Sequence, residues 1–254
     1  MWGATMCRHV AYLGPPIPLS KVLTDPPHSL LHQSYAPTDM RRGGTINADG
    51  YGFGWYPDGS PTAARYRRDC PMWADPNLAD LAASTSSHAV LGAVRNATVG
   101  MPVLETAAAP FVTDSWLFSH NGAVTGWPDS MAKLAERLPI QDVLTLDAPT
   151  DAALLWAIVR DRLRAGVTPA DAVAQTVVEV AEVAPGSRLN LLLTDGSQIA
   201  ATTAGHSLSV LRADDRVLVS SEPLDDDPGW TPVDEGKLVV ATPAGVDITD
   251  WGSA

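Results

Sequence analysis

Met6-Cys7-Arg8-His9 is the stretch on which the reading of this chain turns. If the residues before it are lost, Cys7 becomes N-terminal. An N-terminal cysteine carries a thiol nucleophile and, on the same residue, a free α-amine that can act as its base. Six residues stand in front, Met1-Trp2-Gly3-Ala4-Thr5-Met6. They have neither the charged n-region nor the apolar h-region of a secretion signal. Two origins fit them: a start codon assigned too far upstream, with translation beginning at Met6, or a short leader that is removed. The plain structural alternative for Cys7 is a small buried hydrophobe at the start of a strand.

Composition sets the bounds. The chain has 254 residues, 45% of them hydrophobic, enough for a sizeable core. Its apolar runs are all shorter than a membrane span requires. A net charge of −12 leaves no basic stripe to neutralise phosphates, which argues against nucleic acid and anionic membranes as partners. The basic cluster Arg65, Arg67 and Arg68 reads as the solvated face of a strand. Two cysteines, Cys7 and Cys70, make no disulfide framework and point to a reducing cytoplasm. His28 and His32 are spaced i, i+4, but no third ligand accompanies them, so no metal site is expected.

Outward from Cys7, the chain reads as a short strand to Leu13, ended by Gly14-Pro15-Pro16. A helical patch follows at Leu30-Leu31, then a turn at Asn47-Ala48-Asp49-Gly50. Tyr51 to Tyr56 and Ala63 to Arg68 read as a hairpin around Pro57-Asp58-Gly59. Asn77 to Ser84 reads as a helix, and Ala89 to Val94 as a buried strand that delivers Arg95. Phe111 to Val124 reads as a strand pair with its tight turn at Asn121-Gly122. Two helices are expected in the middle. One starts at Asp151 with Thr150 as N-cap, the other runs from Thr168 to Val183 with Pro169 in its first turn. From Leu189 on the pattern is β: Leu189 to Thr194, Gln198 to Ala204, Leu208 to Arg212, Arg216 to Ser220 and Lys237 to Ala241. Strands, two consecutive helices, then strands suggest stacked sheets with helices outside, in one domain.

Four features fit one chemistry. Cys7 is the nucleophile, Arg95 sits at a strand end, Asn121-Gly122 follows His120, and Asp151 opens a helix. A glutamyl group has an α-carboxylate, an α-amine and a γ-carbonyl. Arg95 can fork onto the carboxylate, and Asp151 can accept from the ammonium. The Asn121 amide and the Gly122 N–H can hold the oxyanion formed when Cys7 attacks the γ-carbonyl. Taken singly, each has a plainer structural role: an ion-paired arginine, a hairpin turn, a helix-dipole partner. His9, two residues from Cys7 and on the same face of a strand, leaves a Cys-His dyad open as an alternative.

Together these motifs resemble the class II glutamine amidotransferases, a glutaminase family of N-terminal-nucleophile hydrolases. That family has an N-terminal Cys, an Arg-x-Ala-Thr strand end, a His-Asn-Gly turn and a Thr-Asp helix start. They map onto Cys7, Arg95 and Thr98, Asn121 and Gly122, and Asp151. The resemblance covers the chain from Met6 onward and implies an α+β fold, a four-layer αββα sandwich spanning residues 7–254 as one domain. It implies Cys7, Asn121 and Gly122 as catalytic residues, with Arg95, Thr98 and Asp151 binding substrate and His120 positioning it. The base it implies is the α-amine. It calls for no cofactor. Many relatives carry an acidic residue two after the helix-start Asp, where this chain has Ala153.

Longer strings resemble the stand-alone branch of the family: Ser29-Leu30-Leu31-His32-Gln33-Ser34, Asn47 to Tyr56, Arg95 to Gly100, and Ser221-Glu222-Pro223-Leu224-Asp225-Asp226. This closer resemblance implies hydrolysis of the γ-glutamyl amide of γ-glutamyl-hercynylcysteine sulfoxide in ergothioneine biosynthesis. A leaving group with a trimethylammonium calls for aromatic faces, and Tyr51, Trp55 and Trp230 are the expected candidates. Two alternatives stay open. One is a glutathione or general γ-glutamyl hydrolase working with a partner subunit. The other is a catalytically silent γ-glutamyl-binding module that keeps the six-residue extension. A homodimer is compatible with each reading.

Overall fold

The structure is a computed structural model that describes residues 7–40 and 46–253; the six residues before Cys7 lie outside it. In chain order the elements begin with β1 (Arg8–Pro18), α1 (Ser20–Leu23), α2 (Leu30–Gln33), β2 (Tyr51–Trp55), β3 (Ala64–Arg68), α3 (Leu78–Ser84) and β4 (Ser86–Val94). Then come β5 (Phe111–Thr113), β6 (Trp116–Ala123), α4 (Ala132–Ala135), α5 (Ile140–Leu144), α6 (Asp151–Arg164) and α7 (Pro169–Val183). The rest is β: β7 (Arg188–Thr194), β8 (Ile199–Thr202), β9 (Ser209–Ala213), β10 (Arg216–Ser220), β11 (Thr231–Pro232), β12 (Lys237–Thr242) and β13 (Gly245–Asp250).

These strands form two antiparallel sheets, in the order β11-β9-β10-β1-β4-β2-β3 and β13-β12-β8-β7-β6-β5. Strand alternation sorts the side chains into three cores. Val10, Tyr12, Val90 and Val94 turn outward from the first sheet against α1, α2 and α3. Ala11, Leu13, Leu91, Leu117 and Leu192 meet between the sheets. Phe118, Leu191 and Leu193 turn outward from the second sheet against Leu155, Val159, Val173 and Val177 of α6 and α7. The result is a four-layer αββα sandwich. Strands covered on both faces read as continuous apolar runs, which is why Ala89 to Val94 and Leu189 to Leu193 stand out in the sequence.

The expected elements recur, with three corrections. β1 does not stop at Leu13 but runs on to Pro18 through a register shift between Leu13 and Ile17. The Tyr12 hydroxyl donates to Pro15 O across that irregularity at 2.6 Å. Asn121-Gly122 is not a turn: both residues lie inside β6, paired with Asn190 and Leu189. The turn of that hairpin is at Asp114, whose φ is 53°. Arg65 and Arg67 do share a face, as their spacing predicts, but the face is largely covered, with Arg67 buried and Arg65 half-buried. Both guanidinium groups converge on Asp147, and Arg67 also donates to the carbonyls of Thr106 and Ala108.

Register then places the site. Arg8 and Tyr51 both pair with Val94, and Ser220 pairs with Val10. The start of β1, the end of β4, the start of β2 and the end of β10 therefore share one edge of the first sheet. The end of β6 and the start of α6 face that edge from the second sheet.

Candidate active site

At this edge Cys7, Arg95, Thr98, His120, Gly122 and Asp151 line one narrow cavity of about 30 Å³. They come from four separate stretches of chain: the start of β1, the loop after β4, β6, and the N-terminus of α6. Cys7 is half-buried, and its Sγ lies 3.9 Å from Asn96 O. Burial pushes the thiol above its ordinary value. The contact with Asn96 and the positive charges of Arg95 and Arg8 work against that shift, while Asp151 reinforces it. Burial therefore favours the neutral thiol.

Arg95 is held at both ends. Its N–H donates to Gly50 O at 2.8 Å and its carbonyl accepts from Asp49 N at 3.0 Å. Asp49 Oδ2 also takes Ala97 N–H at 2.8 Å. The Asn47–Gly50 turn is thus a brace for the arginine. Nη1 of Arg95 donates to Pro102 O at 2.9 Å, which anchors one arm of the fork.

Asp151 is the first residue of α6, behind Thr150, whose hydroxyl caps Ala153 N. Its Oδ1 accepts from Ala152 N at 2.8 Å and its Oδ2 from Val124 N at 2.9 Å. The carboxylate therefore ties the end of β6 to the helix. Each oxygen keeps a further lone pair for a cationic donor. Ala153, where an acid was noted in relatives, is buried in the outer core and does not line the cavity.

His120 Nε2 lies 2.9 Å from Arg188 O. A carbonyl only accepts, so Nε2 carries the proton, and burial lowers the ring's pKa. His120 is a neutral, fixed ring. Gly122 is dictated by its surroundings: a Cβ there would sit 1.9 Å from Arg188 O and 2.7 Å from His120 Nε2. Asn121 points the other way from His120, into the space between the sheets. It is fully buried, with Nδ2 3.4 Å from Ser221 Oγ.

His9 shares Cys7's face but not its cavity. It is buried between the sheets with Nδ1 3.2 Å from Ser119 Oγ, and burial together with His120, His206 and Arg8 lowers its pKa to about 3. So weak a base is poorly matched to a thiol near neutral pH. The aromatic candidates for the leaving group also fall elsewhere. Tyr51 and Trp55 have the parity of Phe53 and pack outward against the helical layer, and the Tyr51 hydroxyl donates to Asp75 at 2.6 Å. Trp230 lines a separate cavity of about 360 Å³ with Tyr12 and Leu218, on the outer face of the same sheet, and donates from Nε1 to Asp225 at 2.8 Å.

A network centred on the buried Arg8–Glu222 pair, which the sequence did not reveal, lies beside Cys7. Arg8 donates from Nε to Glu222 at 2.9 Å, from Nη2 to Asp39 O at 2.6 Å and from Nη1 to Cys7 O at 3.3 Å. The other Glu222 oxygen accepts from the Thr38 N–H and hydroxyl. Arg8 and Glu222 are both buried. The signal was the string Ser221-Glu222, whose two residues turn to opposite faces just past the end of β10.

Known proteins share this organisation. The family model for "Glutamine amidotransferases class-II" matches residues 30–215. The gamma-glutamyl-hercynylcysteine sulfoxide hydrolase of Mycolicibacterium smegmatis is 42% identical over 244 residues, covering 96% of this chain and 99% of that protein. The protein of the same name from Mycobacterium tuberculosis H37Rv is 38% identical, with 96% of each chain covered. Among solved structures, a glutamine aminotransferase class-II domain protein from Silicibacter pomeroyi superposes with a TM-score of 0.69 at 23% identity, over 96% of this chain and 99% of that one. The glutamine phosphoribosylpyrophosphate amidotransferase of Bacillus subtilis gives 0.68 at 15% identity, over 96% of this chain and 49% of that one. These two share the fold. On the family match and the near-complete alignment with the two hydrolases, the chain belongs to the class II glutamine amidotransferases.

Proposed function

We propose that this chain hydrolyses the γ-glutamyl amide of γ-glutamyl-hercynylcysteine sulfoxide, releasing glutamate and hercynylcysteine sulfoxide in ergothioneine biosynthesis. The observation that carries the chemistry is the convergence of Cys7, Arg95, Gly122 and Asp151 on one narrow cavity. The choice of leaving group rests on the two hydrolases that align with nearly the whole chain. In this reading the active form begins at Cys7, in a cytoplasm that keeps its thiol reduced.

Arg95 takes the substrate α-carboxylate and Asp151 its ammonium, which sets the γ-carbonyl beside Sγ. The free α-amine of Cys7 removes the thiol proton as sulfur attacks the carbonyl carbon. Negative charge moves onto the carbonyl oxygen, where the Asn121 amide and the Gly122 N–H receive it. Collapse breaks the C–N bond, and the α-ammonium gives its proton to the departing amine. The thioester left on Cys7 is then attacked by water, with the amine again as base, and glutamate leaves as the thiol re-forms. His120 keeps Gly122 in place through its contact with the Arg188 carbonyl.

The test is mass-spectrometric detection of glutamate and its co-product from γ-glutamyl-hercynylcysteine sulfoxide, with glutathione as competitor. Preferential release from the sulfoxide, abolished in Cys7→Ala, is the expected result. Faster cleavage of glutathione moves the assignment to a general γ-glutamyl hydrolase. Binding without turnover by a chain confirmed to begin at Cys7 leaves only a binding module.

A further inference from the structure

Ser221 lies just past the end of β10 and is fully buried. Its N–H donates to His9 O at 2.9 Å, and its Oγ accepts from His9 N at 2.9 Å. This two-bond pair locks Ser221 to the strand that begins beside the nucleophile. On its other side the same oxygen lies 3.4 Å from Asn121 Nδ2, in the opposite sheet. One hydroxyl therefore connects the strand of the nucleophile to the strand of the oxyanion donor.

The Asn121 carboxamide is incompletely satisfied in this arrangement. Its Oδ1 is buried and has no hydrogen-bond partner among the described residues. A serine hydroxyl has one hydrogen to give and two acceptor positions. His9 N–H fills one acceptor position of Ser221, so the group best placed to use the hydroxyl hydrogen is an oxygen. Half a turn of the carboxamide puts Oδ1 there. Nδ2 then takes the place Oδ1 left.

We propose that Ser221 is a positioning residue of the reaction: its hydroxyl donates to Asn121 Oδ1 and so aims the Asn121 amide at the developing oxyanion. The inference rests on the reading of Asn121 as an oxyanion donor. Ser221 acts wholly through Asn121 and touches no reacting atom. It fixes the orientation of the carboxamide before substrate arrives, which is where such donors gain their effect.

A double-mutant cycle on the full chain tests this, with kcat and KM measured by glutamate release for Ser221→Ala, Asn121→Ala and the pair. Deleting an oxyanion donor costs on the order of a hundredfold in kcat. Misaiming one should cost part of that, about tenfold, with KM little changed. In the Asn121→Ala background, Ser221→Ala should cost nothing further. An equal loss of kcat in both backgrounds, or no loss in either, overturns the inference while leaving Asn121 in its role. Full activity of Asn121→Ala overturns the oxyanion reading itself. If Ser221→Ala does not fold, Ser221→Cys under reducing conditions replaces it. It keeps the shape with a slightly larger atom and offers only a weak donor, and the same expectations apply.

Discussion

Arg95, the proposed carboxylate ligand, keeps little of its own freedom. Its backbone is braced by the Asn47–Gly50 turn and one guanidinium arm is spent on Pro102 O, so the remaining N–H groups are aimed by the loop. Arg95→Lys preserves the charge but loses both the anchor and the planar fork. We expect KM to rise about tenfold or more with a smaller change in kcat, because two parallel charge-assisted bonds to a carboxylate become one. An unchanged KM in steady-state assays would falsify the carboxylate-binding role. His9 carries a second prediction. The folded chain holds it neutral down to a pKa of about 3, whereas an unfolded histidine protonates below about 6.5. Unfolding therefore takes up a proton between those limits, and stability must fall as pH drops through that window. Desolvation is the main cause, and His120, His206 and Arg8 add to it. Urea unfolding at pH 7 and pH 5 should show the loss, and His9→Asn, which cannot titrate, should flatten it. Equal slopes for the two proteins would assign the acid sensitivity to other groups.

Among the elements, β6 departs furthest from its sequence signature. Asn-Gly is a strong turn dipeptide, yet Asn121-Gly122 is paired strand. The glycine is needed for close approach, because the Arg188 carbonyl and the His120 ring occupy the space a side chain would fill. Gly122→Ala must push β6 away from β7. We expect a lowered Tm together with loss of kcat, since the same shift moves the Gly122 N–H and the His120 contact. Retention of both by a purified Gly122→Ala protein would mean that the strand end yields more easily than its contacts suggest. The start of α6 behaves as its sequence predicts. Thr150 caps the helix, and Asp151 turns the first-turn preference for acids into a brace across to Val124.

For the molecule as a whole, the site lies where the edges of two sheets face each other. Cys7 belongs to one sheet and Asn121 and Gly122 to the other, with Asp151 supplied by the helix layer behind the second. The buried Arg8–Glu222 pair, tied to Thr38 and Asp39 nearer the surface, donates from Arg8 to the carbonyl of Cys7. In the proposed mechanism the amine of Cys7 is the base, which would make the chain terminus itself part of the chemistry. Intact-mass measurement of an active preparation should give a polypeptide that begins at Cys7. Activity in a chain that retains the six preceding residues would exclude the α-amine as base.

The sequence by itself determined the family motifs around Cys7, Arg95, Asn121 and Asp151, and most elements, because each is written locally. A cap precedes its helix, and an alternating or continuous apolar run makes its strand. Three things were left to the tertiary structure. Whether Gly122 turned the chain or admitted a neighbouring carbonyl depended on Arg188, 66 positions further along the chain. Which aromatics faced the site depended on strand parity in the assembled sheet, and it sent Tyr51 and Trp55 to the opposite face. The partners of Arg8 and Asn121 came from Ser221 and Glu222, near the far end of the chain. Contacts of that kind carry no local signature. They exist only once β10 lies beside β1 and the two sheets have closed on each other.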